Sequence, residues 1–134
     1  MAKILVVDDE AEWRELCQAR LSELGHEVRA TGDCLDALME LKRAPPDVVV
    51  LDLRMPVSGR TMLQAITEDF PGLPVVVHTV FSGYRDDPAF AGVAGFAVKS
   101  PDLADLVGAV ESLVGDLRIR KLMQRPGVNG NACR

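Results

Sequence analysis

The sequence predicts an α/β fold: a doubly wound parallel sheet of five strands with helices on both faces. Three observations carry this. Short β-branched runs recur without the polar alternation of a half-exposed sheet, so those strands are covered on both sides. Between them, apolar residues fall three and four apart, the spacing of amphipathic helices. Each central strand then stops at a polar or charged residue.

In chain order, ILVV (4–7) is the first strand, and residues 10–24 form the first helix with Trp13, Leu16, Cys17, Leu21 and Leu24 as a core stripe. HEVRAT (26–31) alternates apolar with polar, which places it at an edge of the sheet. Residues 33–43 carry Cys34, Ala37, Leu38 and Leu41 on one face, with Asp33 as helix cap. VVVL (48–51) is the third strand, and residues 60–70 form a helix through Met62, Leu63, Ile66 and Phe70. VVV (75–77) and FAV (96–98) complete the sheet, separated by a weakly patterned helix over 84–92. The last helix is entered through Pro101-Asp102 and buries Leu103, Leu106, Val107, Val110, Leu113, Val114 and Leu117.

The 134 residues suit one domain, and 48% hydrophobic against 26% charged excludes a disordered chain. No apolar run approaches the roughly 20 residues of a membrane span, so no membrane insertion is expected. No charged-then-apolar leader precedes MAKILVVDDE, and a cytoplasmic location is expected. Cys17, Cys34 and Cys133 form no disulfide framework and no metal-binding spacing. His26 and His78 are too far apart in the chain to suggest zinc. Residues 118–134 hold five basic residues and no acid, leaving 10 basic against 20 acidic in the body. An acidic body is a poor duplex binder, so no direct nucleic acid contact is expected. Residues 1–118 are read as the folded unit, and 119–134 as a helix extension with a flexible basic tail.

The polar strand ends define the candidate site. The first strand runs into Asp8-Asp9, the third into Asp52, the fourth into His78-Thr79 and the fifth into Lys99. A parallel sheet puts all these ends on one edge, above the switch in strand order where ligands bind. Three carboxylates gathered there repel. At ~4 Å and an effective dielectric near 20, each pair costs about 4 kcal/mol, which a proton or a bound cation would relieve. A hard divalent ion, Mg²⁺, suits oxygen ligands and keeps coordination positions open for phosphate. Lys99 supplies a second positive charge and Thr79 a hydroxyl donor. Together these are the equipment for placing a phosphoryl group on a carboxylate nucleophile.

ILVVDDE, VVVLDLRMP, VVVHTV and GFAVKSP, in this order from about residue 3 to 117, resemble the receiver domain of two-component response regulators. The resemblance implies a flavodoxin-like (βα)5 fold with strand order 2-1-3-4-5; a chemotaxis receiver is itself a standing example of the strand-end rule applied above. It implies that Asp52 accepts the phosphoryl group from a sensor histidine kinase or phosphotransfer protein. Asp9 would bind Mg²⁺ directly, Asp8 through water, and Arg54 through its backbone carbonyl, with Asp52 completing the metal site. Thr79 and Lys99 would contact phosphoryl oxygens, and Phe96 would follow Thr79 in switching. Phosphorylation would alter the face of the fourth helix, fifth strand and fifth helix, read by a downstream protein target or an effector domain beyond this chain. On this reading the chain catalyses only its own phosphorylation and dephosphorylation.

Three features depart from the family pattern. Gly59 in MPVSG lies one residue nearer the aspartate than usual. Val80 replaces the small residue that commonly follows the threonine, and with Phe81 it predicts a long-lived acyl phosphate. Lys99 is followed by Ser100-Pro101, so either Lys99–Ser100 adopts a non-proline cis bond costing roughly 3 kcal/mol or the loop differs. A flavin carrier would need a hydroxyl- and glycine-rich loop where DDEAEW stands, and a haloacid-dehalogenase-type hydrolase would need an aspartate where Arg54 stands. The remaining alternative is a phosphorylation-independent protein-binding module on the same scaffold.

Overall fold

The computed structural model describes residues 1–53, 59–80, 83 and 86–124. Strands β1 (Lys3–Val7), β2 (Glu27–Thr31), β3 (Val48–Leu51), β4 (Val75–Thr79) and β5 (Gly95–Val98) alternate with helices α1 (Ala11–Glu23), α2 (Cys34–Arg43), α3 (Gly59–Asp69) and α4 (Ala104–Met123). All strand pairings are parallel, in the order β2-β1-β3-β4-β5. The expected sheet, its order and the edge position of β2 are thus present.

The period-two alternation of a strand sorts the core into two layers. Leu5, Val7, Val49, Leu51, Val75 and Val77 face one way, against Ala37 and Leu41 of α2 and Met62 and Ile66 of α3. Ile4, Val6, Val48, Val50, Val76 and Ala97 face the other way, against Cys17 and Leu21 of α1 and Leu106 and Val110 of α4. Each buried Val, Leu, Ile or Met among them contributes about 1.5–3 kcal/mol of transfer free energy. Helices on both faces explain why the VVVL and VVV runs carry no polar alternation.

Helix entries follow local chemistry. The Asp33 side chain accepts a hydrogen bond of 2.8 Å from the Leu35 backbone N–H, the expected cap. At α4, Asp102 accepts from the Ala104 N–H at 3.0 Å and from the Ser100 hydroxyl at 2.9 Å. Leu103 adopts a left-handed conformation, φ 55°, with its side chain buried in the second core layer. Left-handed backbone is unusual for leucine, and the core anchor over-determines it.

Two expectations change, and one open alternative is decided. Leu16 belongs to no core layer; it is 44% exposed, because on α1 the buried positions are Cys17 and Leu21, four apart, and Leu16 points about 100° away from Cys17 around the helix. The helix expected over 84–92 is replaced, among the described residues, by a 3₁₀ turn at Pro88–Phe90. Pro88 and the flanking Gly83 and Gly92 leave too short a stretch to repay helix nucleation, and Phe90 pins the turn to the first core layer. The Lys99–Ser100 bond is trans, so of the two alternatives for that loop the second applies.

One tie was not legible in the sequence. The His26 Nδ1 accepts from the Ala2 backbone N–H at 3.0 Å, which leaves the proton on Nε2 to be donated to Glu111 at 2.7 Å. This joins the start of β1, the loop before β2 and the middle of α4. No helix among the described residues is long and apolar enough to cross a membrane.

Candidate functional site

The sheet places the acidic residues by continuing its own ladder. The Asp8 backbone N–H donates to the Thr31 carbonyl at 3.0 Å and the Asp52 N–H to the Val7 carbonyl at 2.9 Å. Asp52 therefore stands one step past Val7, beside Asp8, where the order 2-1-3 opens the crevice. The Arg14 guanidinium donates to the Asp8 carbonyl at 2.8 Å and fixes that turn from α1. Gly32 leaves room for it, since a Cβ there would meet Arg14 Nη1 at 2.5 Å.

Lys99 reaches the crevice from two strands away. Its backbone N–H donates to the Thr79 carbonyl at 2.7 Å, fixing the start of the reach. Adjacent strands lie about 4.8 Å apart, so only a long side chain on β5 can pass over β4 to β3. The Lys99 ammonium lies 2.7 Å from Asp8 Oδ2 and 3.2 Å from Asp52 Oδ2, and all three side chains are at most 3% exposed. Burial raises the Asp8 pKa, and the hydrogen bond and charge of Lys99 only partly restore it. Burial alone would lower the Lys99 pKa, but Asp8 and Asp52 outweigh it and the net direction is upward.

Carboxylate oxygens of Asp8, Asp9, Glu10 and Asp52 lie within 4.8 Å of one another. Asp9, Glu10, Asp52, Val80 and Lys99 line a cavity of about 300 Å³. This hard, all-oxygen donor set, which includes the buried Asp8 carboxylate, fits a divalent cation of the Mg²⁺ type. Val80 stands at the mouth, 52% exposed.

The structure brings Asp8, Asp9, Asp52 and Lys99 together. Thr79 ends β4 next to Lys99, with its side chain fully buried rather than lining the cavity. Phe96 pairs with Val77 in the sheet register and is half-buried against the first core layer, beneath the site rather than in it. Arg54, Phe81 and Cys133 lie outside the described residues, as do most of the MPVSG loop and the tail beyond 124. Sequence reasoning passed over Arg14, and it took Trp13 for core alone. Trp13 does pack on the second layer, but Lys99 Nζ also stands 5.1 Å from its ring centroid. The one signal available was that both follow the acidic pair on α1, within the first turn of the helix.

A doubly wound sheet with a buried carboxylate–ammonium cluster at its switch point is the arrangement expected of a receiver-type signalling module. The model of the response regulator receiver domain matches residues 4–111, and the chain belongs to that family. It is a phosphoacceptor switch of two-component signalling. It is similar to the probable transcriptional regulatory protein TcrX of Mycobacterium tuberculosis, 34% identical over 126 residues, 93% of this chain and 51% of that protein. Among solved structures it is similar to the response regulator TrrA of Thermotoga maritima in complex with Mg²⁺ and BeF. That likeness has 32% identity and a TM-score of 0.79 over 84% of this chain and 99% of TrrA. It is also similar to the complex of the histidine kinase ThkA with TrrA, at 32% identity and TM-score 0.78 over 85% of this chain and 99% of the matched one. The chain spans about half the length of TcrX.

Proposed function

We propose that Asp52 is the phosphoacceptor and that Asp8, Asp9 and the Arg54 backbone carbonyl, with Asp52, hold Mg²⁺. The observation that carries this is the Lys99 ammonium buried between Asp8 and Asp52, at 2.7 and 3.2 Å, on the wall of an acidic cavity. When bound, the metal would screen the carboxylates and draw charge from the phosphoryl oxygens. Asp52 attacks phosphorus through one carboxylate oxygen; the bond from phosphorus to the donor breaks, and the leaving imidazole keeps the electron pair and takes a proton from solvent. Lys99 neutralises the new phosphoryl charge, and Thr79 donates its hydroxyl to a phosphoryl oxygen after a small movement of its strand end. Thr79 and Phe96 form the switch, and β5, α4 and the turn Pro88–Phe90 form the face that changes.

The donor is a histidine kinase or phosphotransfer protein, and TrrA, solved with the kinase ThkA, is the supporting precedent. Residues 1–118 are the receiver unit, residues 119–134 are a helix extension with a basic tail, and the output is read by a downstream protein target or an effector domain. A cytoplasmic location accords with a kinase donor of that kind.

Incubation with acetyl phosphate and Mg²⁺ is expected to add one phosphoryl group to the natural protein and none to Asp52→Asn, read by intact-mass spectrometry. No adduct on the natural protein would instead favour a binding module that works without phosphorylation. The partial cover of the cavity mouth by Val80 carries a second expectation. The acyl phosphate should last longer than seconds, and Val80→Ala should hasten its loss severalfold; equal decay of the two proteins would exclude Val80 as the shield.

A further inference from the structure

Trp13 is the only tryptophan in the chain. Its ring does two things at once. One face carries the Lys99 ammonium at 5.1 Å, and the ring meets the buried His78 imidazole nearly edge-on, with centroids 5.8 Å apart and planes at 86°. An ammonium is attracted to an aromatic face by the ring quadrupole, most strongly where water is excluded, and the Lys99 side chain is 2% exposed. Lys99 therefore has three holds in the site: the carboxylates of Asp8 and Asp52, and the indole.

The three holds differ in what becomes of them when the site is used. Asp8 and Asp52 are the groups expected to turn toward a divalent cation, and both then loosen their grip on the ammonium. The indole is neutral and offers the metal no ligand, so its grip survives. His78, one residue before Thr79 on β4, braces the ring from beneath and ties its position to the strand that carries the hydroxyl. We propose that Trp13 is a positioning residue for phosphoryl acceptance: its indole face keeps the Lys99 ammonium over the site once Asp8 and Asp52 engage a metal. This rests on the reading of Asp52 as the acceptor.

The rate of phosphorylation by acetyl phosphate at saturating Mg²⁺, compared between the natural protein, Trp13→Phe and Trp13→Leu, tests it. Leucine fills space without a quadrupole and should slow the reaction roughly three- to thirtyfold, whereas phenylalanine should hold it within about threefold. A Trp13→Leu rate equal to the natural one, or a Trp13→Phe rate as slow as Trp13→Leu, overturns the proposal. The contact can also be read without any change at Trp13. In Mg²⁺, the emission maximum of the lone tryptophan should differ between the natural protein and Lys99→Met; superimposable spectra would mean that the ammonium has left the ring, and would overturn it too. If the natural protein takes up no phosphoryl group, the assignment of Asp52 fails, and the spectral comparison still decides whether Trp13 seats Lys99.

Discussion

Replacing Lys99 by methionine is expected to destabilise the metal-free protein by about 3–5 kcal/mol, because the buried carboxylates of Asp8 and Asp52 both lose the ammonium held against them. Asp8 and Asp52 are 2% and 3% exposed in the pair with Lys99, so solvent replaces the ammonium poorly. Methionine matches the length of the lysine stem, which separates the loss of charge from a loss of packing. Urea unfolding at pH 7 without metal reads the loss. Two further measurements fix its origin. Lowering the pH should shrink the difference between the two proteins, since one carboxylate of the variant can then protonate. Adding Mg²⁺ should stabilise the variant more than the natural protein, because the ion supplies the missing positive charge. A loss below about 1 kcal/mol, unchanged by Mg²⁺, would show that the ammonium does not compensate these carboxylates.

The parts of this site that were legible in the sequence are those that the sheet alone determines. VVVL and VVV cannot be half-exposed, and a parallel sheet has a single edge on which Asp8, Asp52, Thr79 and Lys99 can end. Their meeting needs no knowledge of the helices. Contacts that depend on how a helix is rotated about its axis were less accessible. Leu16 and Cys17 are adjacent and both apolar, yet one is exposed and the other is in the core. Trp13 looks like any other stripe residue until α1 is docked, when its face meets an ammonium arriving from β5. The bond between His26 and Glu111 spans 85 residues and leaves no periodic trace. The stretch 84–92 misled for a different reason: its apolar residues are too few to define a period, and Phe90 acts as a single anchor.

His78 should make the stability of the protein fall as pH drops from neutral. The imidazole is 1% exposed, and burial first, with the Lys99 charge second, lowers its pKa to about 4 from an ordinary value of 6.5. Cys17 of α1 faces it at 3.9 Å with Trp13 beside it, and Asp52 and Asp105 oppose the shift without reversing it. The folded protein thus keeps His78 neutral between about pH 4 and 6.5, where the unfolded chain binds the proton. Stability is then fully present above pH 6.5 and declines with falling pH, by about 2 kcal/mol at pH 5 and about 3 kcal/mol at pH 4. The raised pKa of Asp8 acts with the opposite sign, since there the folded state holds the extra proton, so the net curve is shallower than the His78 contribution. His78→Phe separates the two. It keeps an aromatic ring against Trp13 but has nothing to titrate, so unfolding free energies of the natural protein and the variant should diverge by about 2 kcal/mol more at pH 5 than at pH 7. Parallel curves for the two proteins across that range would mean that His78 gains its proton as readily in the fold as in the open chain.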